Sequence, residues 1–460
     1  MLALLIAKEM RSHLLSYRFV LTLLLFFVLI VSSVEMLALN YDRQATNYAE
    51  TRRSQEEALK EATDFRSLRW RGIKVEKPPN PMSVFAMGLE REMSRSVKVS
   101  SFEDAKLGRS KYANPLFALF PAPDLLYIVN IVGSLLALLF AFDAICGEQE
   151  RGTLKLVMAY SVPRHLVLLA KWIGGYLALI LPFFASVFTA LLFAQLTTSL
   201  SFVASDWSAF LGLMAVAALY MSVFYALAMW ISALTHRSST SLVLNFLIWV
   251  ILVLLVPNTA PMAARAMAPV PSPGVIAGQR QAIQRSLWRE AWSSIRRAPR
   301  EERGALREEI QARIRSATDK VLVDYLQKVD SQIGTGVLLA RLSPSASYVY
   351  ATAGLAGSGL EGFTGLREYV GRYRIEFLDK IHELEEERSR ELEGVTDQEE
   401  RQEIRDAPVD PDDLPAFAPV RPRLADNLVA LQTDLSILLV LNGLFFLGAY
   451  SGFLRYDLMK

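Results

Sequence analysis

The sequence predicts an all-α membrane protein with six transmembrane helices and a helical extracytoplasmic domain inserted between spans five and six. Three observations carry this expectation. Apolar residues gather into six long runs, several of them free of charge. Hydrophobic residues make up 52% and charged residues 21% of 460, with a mean hydropathy of +0.26. That mixture is too apolar for most soluble chains and too charged for a bare bundle, so the two properties occupy different segments. Half of the 20 prolines bracket one polar, helically patterned stretch, as linkers do around a domain.

Residues 1–39 read as an interfacial helix and span one. Met1–Leu15 mixes Leu5, Ile6, Met10, Leu14 and Leu15 with Lys8, Glu9, Arg11 and His13. This pattern suits a helix on the membrane surface and equally a helical lead-in to the first span. Phe19–Leu39 is longer than a secretory h-region and lacks an A-x-A-like cleavage site, so it reads as a retained span. Residues 40–124 form a first extracytoplasmic region. It opens with a charged helical stretch, Tyr41–Leu68, and breaks at Pro78, Pro79 and Pro81.

Spans two to five fill residues 125–256, as Leu125–Ile145, Leu166–Leu196, Ala209–Leu234 and Ser241–Val256. Their polar residues include Asn130, Asp143, Lys171 and Asn245, and Asn442 lies in span six. The asparagines are expected to link helices, and Asp143 and Lys171, near the inner ends, to pair or snorkel.

Residues 257–433 make the large inserted domain. Pro257, Pro261, Pro269, Pro271 and Pro273 predict a stiff, non-helical lead-in, and Pro408, Pro411, Pro415, Pro419 and Pro422 the matching exit. Between them Val275–Ile333 and Leu366–Leu392 carry apolar residues at spacings of three and four. Leu342–Leu360, rich in Ser, Ala and Gly, predicts a turn and a short packed segment. Glu383–Glu400 reads as a solvated acidic helical face. Residues 434–460 hold span six and a short tail.

Short-loop charges orient the bundle. Lys8, Arg11 and Arg18 precede span one, and Arg151, Lys155 and Arg164 lie between spans two and three. Arg237 follows span four, and Arg455 and Lys460 close the chain. Thr197–Trp207 has neither Lys nor Arg. Both termini are therefore expected in the cytoplasm.

Composition also excludes functions. A formal net charge of +2 argues against a nucleic-acid-binding surface. Cys146 is the only cysteine, so neither an intrachain disulfide nor a four-Cys metal site can form. His13, His165, His236 and His382 are far apart, without HExxH spacing. No Walker A motif and no Ser/His/Asp or Cys/His constellation occurs, so the chain reads as a non-enzyme with no cofactor of its own.

The informative loop follows span two: Gly147-Glu148-Gln149-Glu150-Arg151-Gly152-Thr153-Leu154, then Ser161-Val162-Pro163-Arg164. It reads as a charged turn at the membrane surface, then a short amphipathic helix ended by Pro163. Such an element can dock into a groove of a cytoplasmic partner and pass on its movement. The Gly-Glu-x-Glu-x-Gly-Thr-Leu run followed by Val-Pro-Arg resembles the coupling loop of ABC-2-type transporter permeases, which sits between spans two and three of a six-span subunit. The resemblance covers all six spans and looks closest to the branch that includes the copper-site maturation permease of nitrous oxide reductase. The long insert, with Leu342-Ser343-Pro344 and Ala353-Gly354-Leu355-Ala356-Gly357, is similar to a subgroup with a large extracytoplasmic domain.

The resemblance implies a bacterial inner-membrane permease that exports or extracts a substrate. It implies a cytoplasmic ABC ATPase subunit that binds ATP and Mg, a second permease subunit in a homo- or heterodimer, and leaves room for a periplasmic partner. Glu148, Glu150, Arg151, Gly152, Thr153, Leu154 and Pro163 would couple the chain to that ATPase, with Glu148 and Glu150 facing its basic residues and Leu154 filling an apolar groove. The other reading left open is a membrane-anchored scaffold or sensor whose ectodomain binds an envelope protein.

Overall fold

The computed structural model describes residues 2–60, 72–100, 122–153, 162–299, 302–393, 395–407, 409–418 and 424–455. Six helices are long and apolar enough to cross a membrane: Tyr17–Glu57, Leu125–Glu150, Arg164–Thr197, Ala204–Leu234, Ser238–Met267 and Leu431–Leu454. The chain forms two compact units, Met1–Ile248 with Ser347–Lys460, and Trp249–Ala346.

In the first unit, α1 (Leu2–Leu14) leads through a two-residue turn into α2 (Tyr17–Lys60). α2 contains span one and continues unbroken into the charged stretch expected from Tyr41 onward; positions 61–68 of that stretch lie outside the described residues. Span two begins as α3 (125–141), and a short helix α4 (Cys146–Glu150) follows its turn. α5 (Arg164–Thr197), α6 (Ala204–Leu234) and the last span, within α13 (Leu424–Leu454), complete the packing. α6 is the central helix. Every residue from Tyr220 to Met229 is buried, as expected of a helix that is apolar all round. Its span window is 72% buried against 22% for the last span, which therefore turns its apolar side outward to lipid or another subunit.

Two of the three span asparagines link helices. The Tyr220 hydroxyl donates to Asn130 Oδ1 at 2.8 Å, joining α6 to α3. Asn442 Nδ2 donates to the Ser222 hydroxyl at 2.7 Å, joining α13 to α6. Asn245 differs from expectation. Its amide donates to the Ser241 carbonyl at 2.9 Å in its own helix, and Ser241 makes the bridge by donating to the Phe142 carbonyl at 2.6 Å.

At the end of the bundle opposite the termini, a small subdomain departs from the all-helical expectation. β1 (Ile73–Glu76) and β2 (Ser96–Val99) pair antiparallel, with Ile73 opposite Val99. Val75, Val97 and Val99 pack on Leu366, Val370, Tyr373, Phe377 and Ile381 of α11 (Leu360–Glu393). Those α11 residues recur at spacings of four and three and so share one face. Beyond α12 (Gln398–Asp406), Val409, Leu414 and Phe417 wrap the same core, and the Tyr373 hydroxyl donates to the Pro415 carbonyl at 2.9 Å. Burial pushes the Tyr373 phenol above its ordinary range.

This subdomain is sewn to the bundle. Asn80 donates to the Ala356 carbonyl at 2.7 Å and Ser358 to the Ala86 carbonyl at 3.0 Å. Asp124 caps α3 by accepting from the Tyr127 amide at 2.9 Å, and its other oxygen accepts from the Met87 amide at 2.8 Å. Burial pushes its carboxyl upward despite these bonds.

The second unit holds the C-terminal part of α7 (Ser238–Met267), then α8 (Pro273–Arg297) and α9 (Arg303–Ala340). Ile295 of α8 packs on Ile310 and Ile314 of α9, so the two form an antiparallel hairpin. Ala264 of α7 packs beside Gly336, and Gln332 donates to the Ala268 carbonyl at 2.6 Å. The non-helical lead-in expected at Pro257 and Pro261 is absent, because both lie within helix Val256–Met267. A π-helical segment, Val250–Leu255, immediately precedes them. Pro257 has no amide to donate and crowds the carbonyl four residues back, and the wider π turn relieves both faults. The short packed segment expected after Leu342 is α10 (Pro344–Leu355).

Candidate functional site

The segment between spans two and three is fixed to the bundle at several points. After α3 the backbone turns, and the amides of Ile145 and Cys146 both donate to the buried Ser232 hydroxyl of α6, at 3.1 and 3.2 Å. α4 then carries Glu148 and Glu150 in different directions. Glu150 accepts from the Ser238 hydroxyl at 2.7 Å and the Ser238 amide at 3.3 Å. It thus caps the first turn of α7, where a negative charge is favoured. Arg151 reaches back to the Gly147 carbonyl at 3.1 Å, and the Thr153 hydroxyl to the Glu148 carbonyl at 3.2 Å.

Gly152 ends the turn with φ +74°, in the left-handed region that glycine enters without steric cost. No atom lies within 4 Å of a Cβ built there, so the backbone and not crowding calls for glycine. Glu150, Arg151, Gly152 and Thr153 are exposed. Leu154 lies outside the described residues. Pro163 precedes the first turn of α5, and its carbonyl accepts from the Leu166 amide at 3.0 Å.

Glu148 departs from the outward orientation expected of it. Its carboxylate meets Lys171 Nζ at 2.5 Å, and the same ammonium meets Glu9 at 3.4 Å. The side chains of Lys171, Glu148 and Glu9 are only 5%, 14% and 15% exposed, so one cation is held between two inward carboxylates. The physical reason is the apolar run around Lys171, where an unpaired charge costs several kcal/mol, on the order of the desolvation penalty. Asp143 likewise pairs, with both oxygens on Arg18 at 3.0 and 2.9 Å. That guanidinium also lies 5.1 Å from the Phe142 ring centre.

These contacts draw α1 into the site. A Cβ at Gly174 would stand 2.8 Å from Glu9 Cβ and 2.9 Å from the Ile6 carbonyl oxygen; one at Gly175 would stand 2.0 Å from the Tyr225 hydroxyl. The two glycines let α1 and the Tyr225 hydroxyl approach the α5 backbone closely. His13 stacks on Phe140 with ring centres 5.8 Å apart. α1, the C-terminal end of α3, α4 and the N-terminal part of α5 are therefore cross-linked into one block. Sequence reading singled out Asp143 and Lys171 but not their partners Glu9 and Arg18, which are ordinary juxtamembrane charges until the fold places them.

Burial holds the His13 imidazole below its ordinary value of 6.5, against the opposing pull of Glu9. The packed state therefore binds fewer protons than the detached one, and docking of α1 weakens as pH falls below that ordinary value. Normalised at each pH to the rate of an exposed cysteine at Thr153, labelling of a cysteine at Ile6 is expected to rise severalfold from about pH 7.5 to about pH 5; an unchanged or lower normalised rate in acid would contradict the packing of His13.

Six helices long and apolar enough to cross a membrane, with a short helix anchored at the end that carries both termini, make this a multi-pass membrane protein. The family model for ABC-2 family transporter proteins matches residues 3–458, nearly the whole chain, and the chain belongs to that family. The match defines the family and not a branch within it. No curated protein shows a match to the chain.

Proposed function

We propose that the chain is the permease subunit of an ABC transporter in a bacterial inner membrane. It works with a second permease subunit and couples ATP hydrolysis by a separate cytoplasmic ATPase, which binds ATP and Mg, to export or extraction of a substrate. The observation that carries this reading is the anchoring of α4: its start is fixed on Ser232, and its glutamates are fixed on Lys171 and Ser238. A push on the exposed Glu150–Thr153 surface is thereby delivered to α1, α5, α6 and α7. Arg151, Gly152, Thr153 and Leu154 contact the ATPase, Glu148 and Glu150 set the position of that surface, and Pro163 starts the return helix.

In this reading both termini are cytoplasmic, and residues 40–124 and 257–433 lie outside. Cysteines at Ser54 and Ser331 are then expected to react with an impermeant thiol reagent on intact cells, and one at Gln149 to stay unlabelled. Labelling of Gln149 alone would reverse the orientation.

The coupling role is tested with Gly152→Val. Forcing a β-branched residue into φ +74° costs about 1–2 kcal/mol locally and touches no span. Normal membrane levels are expected, together with at least severalfold weaker co-purification of the ATPase and a matching loss of substrate-stimulated ATP hydrolysis. Full assembly and activity in this variant would remove the assignment.

A further inference from the structure

Two exposed helix faces, one on α8 and one on α11, have complementary charge. On α8, Arg285, Arg289, Trp292 and Arg296 fall at i, i+4, i+7 and i+11, within one narrow arc, and all are exposed. Trp292 is 59% exposed, and the three arginines form no ion pair among the described residues. The α8 core face, with Leu287, Trp288, Ala291 and Ile295, points elsewhere, onto α9. Glu290, the one acidic residue of α8, lies off the arc. A tryptophan framed by arginines is the composition of an energetic centre in protein interfaces.

On α11, Glu376, Asp379, Glu383 and Glu386 share the exposed side with Ile375, which is 63% exposed. Glu383 is bonded locally to Lys380 at 2.8 Å and Glu386 to His382 at 3.3 Å. Glu376 and Asp379 make no ion pair among the described residues. Each face thus sets one large apolar residue among like charges, with opposite sign on the two.

We propose that the Arg285–Arg296 face docks on the Ile375–Glu386 face of a second copy of this chain. The inference rests on the two-subunit reading above. A two-fold dimer makes the contact twice, because each copy presents both faces. Lipid headgroups fit the basic face less well. Gln332 is level with Ala268, and Ile310, against which the end of α8 packs, is 22 positions further along α9. That is roughly 33 Å of helix beyond the end of α7, outside the headgroup layer around that span. Opposite charges flanking an apolar pair also fix register and reject wrong partners.

The test uses the full chain. Two differently tagged copies are co-expressed, one with Ser293→Cys and the other with Arg372→Cys; the native Cys146 is buried and stays in place. A short bismaleimide is expected to join the two tags covalently. Arg285→Glu, Arg289→Glu and Arg296→Glu together should lower that product at least tenfold. Adding Glu376→Arg, Asp379→Arg and Glu383→Arg should restore it. A two-tag pull-down without reagent reports association of the copies separately. Association without a cross-copy product, a product only when both cysteines share one chain, or indifference to the charge reversal overturns the inference and leaves the dimer standing. Failure of the pull-down itself removes the dimer and the inference together.

Discussion

Replacing Lys171 by methionine is expected to cost about 3 kcal/mol of stability and to lower the amount of protein in the membrane severalfold. The substitution keeps the volume and removes the cation. It leaves the carboxylates of Glu9 and Glu148 facing one another, both largely shielded from water. The damage should come from the stranded acids and not from the lost pair as such. Adding Glu9→Gln and Glu148→Gln to Lys171→Met should therefore recover most of the loss. The readout is the melting temperature of the purified full chain beside membrane abundance. A single variant as stable as the parent, or a triple variant no better than the single, would show that the three side chains do not act as one charge network.

A second large effect is expected from Gly175→Val. Even the first added carbon would stand 2.0 Å from the hydroxyl of Tyr225, and 3.1 Å from His13 Nε2. Tyr225 is fully buried, and its hydroxyl is engaged with the Lys171 carbonyl at 3.2 Å. The Tyr225 ring is enclosed and has no free space to swing into, so it, α1 or α6 must shift. Overpacking of this kind costs about 1–3 kcal/mol, and here it should also free α1, exposing a cysteine placed at Ile6. Gly371→Ala supplies the contrast. It sits in a helix with nothing within 4 Å of the added carbon and should be neutral or slightly stabilising. A Gly175→Val protein that melts with the Gly371→Ala protein would refute the close approach.

The six spans were legible because hydropathy is a local property. Each run announces itself without knowledge of its neighbours; spans two, three, four and six end close to the observed helices, whereas the helices of spans one and five run on past Leu39 and Val256 to Glu57 and Met267. The helical character of Val275–Ile333 was legible for the same reason, through its three-and-four spacing, but the break after Arg297 that folds it into the α8–α9 hairpin was not. The strands were not. Each has only four residues, and the long stretch between them lacks the tight turn that marks a hairpin. The proline bracket misled at Pro257 and Pro261, which both lie in helix; at Pro257 the π turn Val250–Leu255, which holds the carbonyl four residues back, removes the usual penalty.

The candidate site was half legible. The loop stood out through its Gly and Glu pattern, and the left-handed Gly152 agrees with the sharp turn expected there. The inward turn of Glu148 was hidden. It depends on Lys171, 23 positions on, and on Glu9, 162 positions from that lysine, and no spacing rule reaches so far.

The π segment Val129–Gly133 in span two adds a constraint of phase. A regular helix advances about 100° per residue, so a surplus residue would turn one end of the rod by that angle unless a wide turn absorbed it. Asp124 at one end and Asp143 at the other are aimed by that setting, one at the Met87 amide and one at the Arg18 guanidinium. Deleting one residue from Val129–Gly133 would let that turn close into regular helix and leave both carboxylates near their marks, whereas deleting one from the regular stretch Ser134–Ala141 would swing one of them about 100° off. Span two is keyed at both ends, and its irregular turn is where the two keys are brought into register.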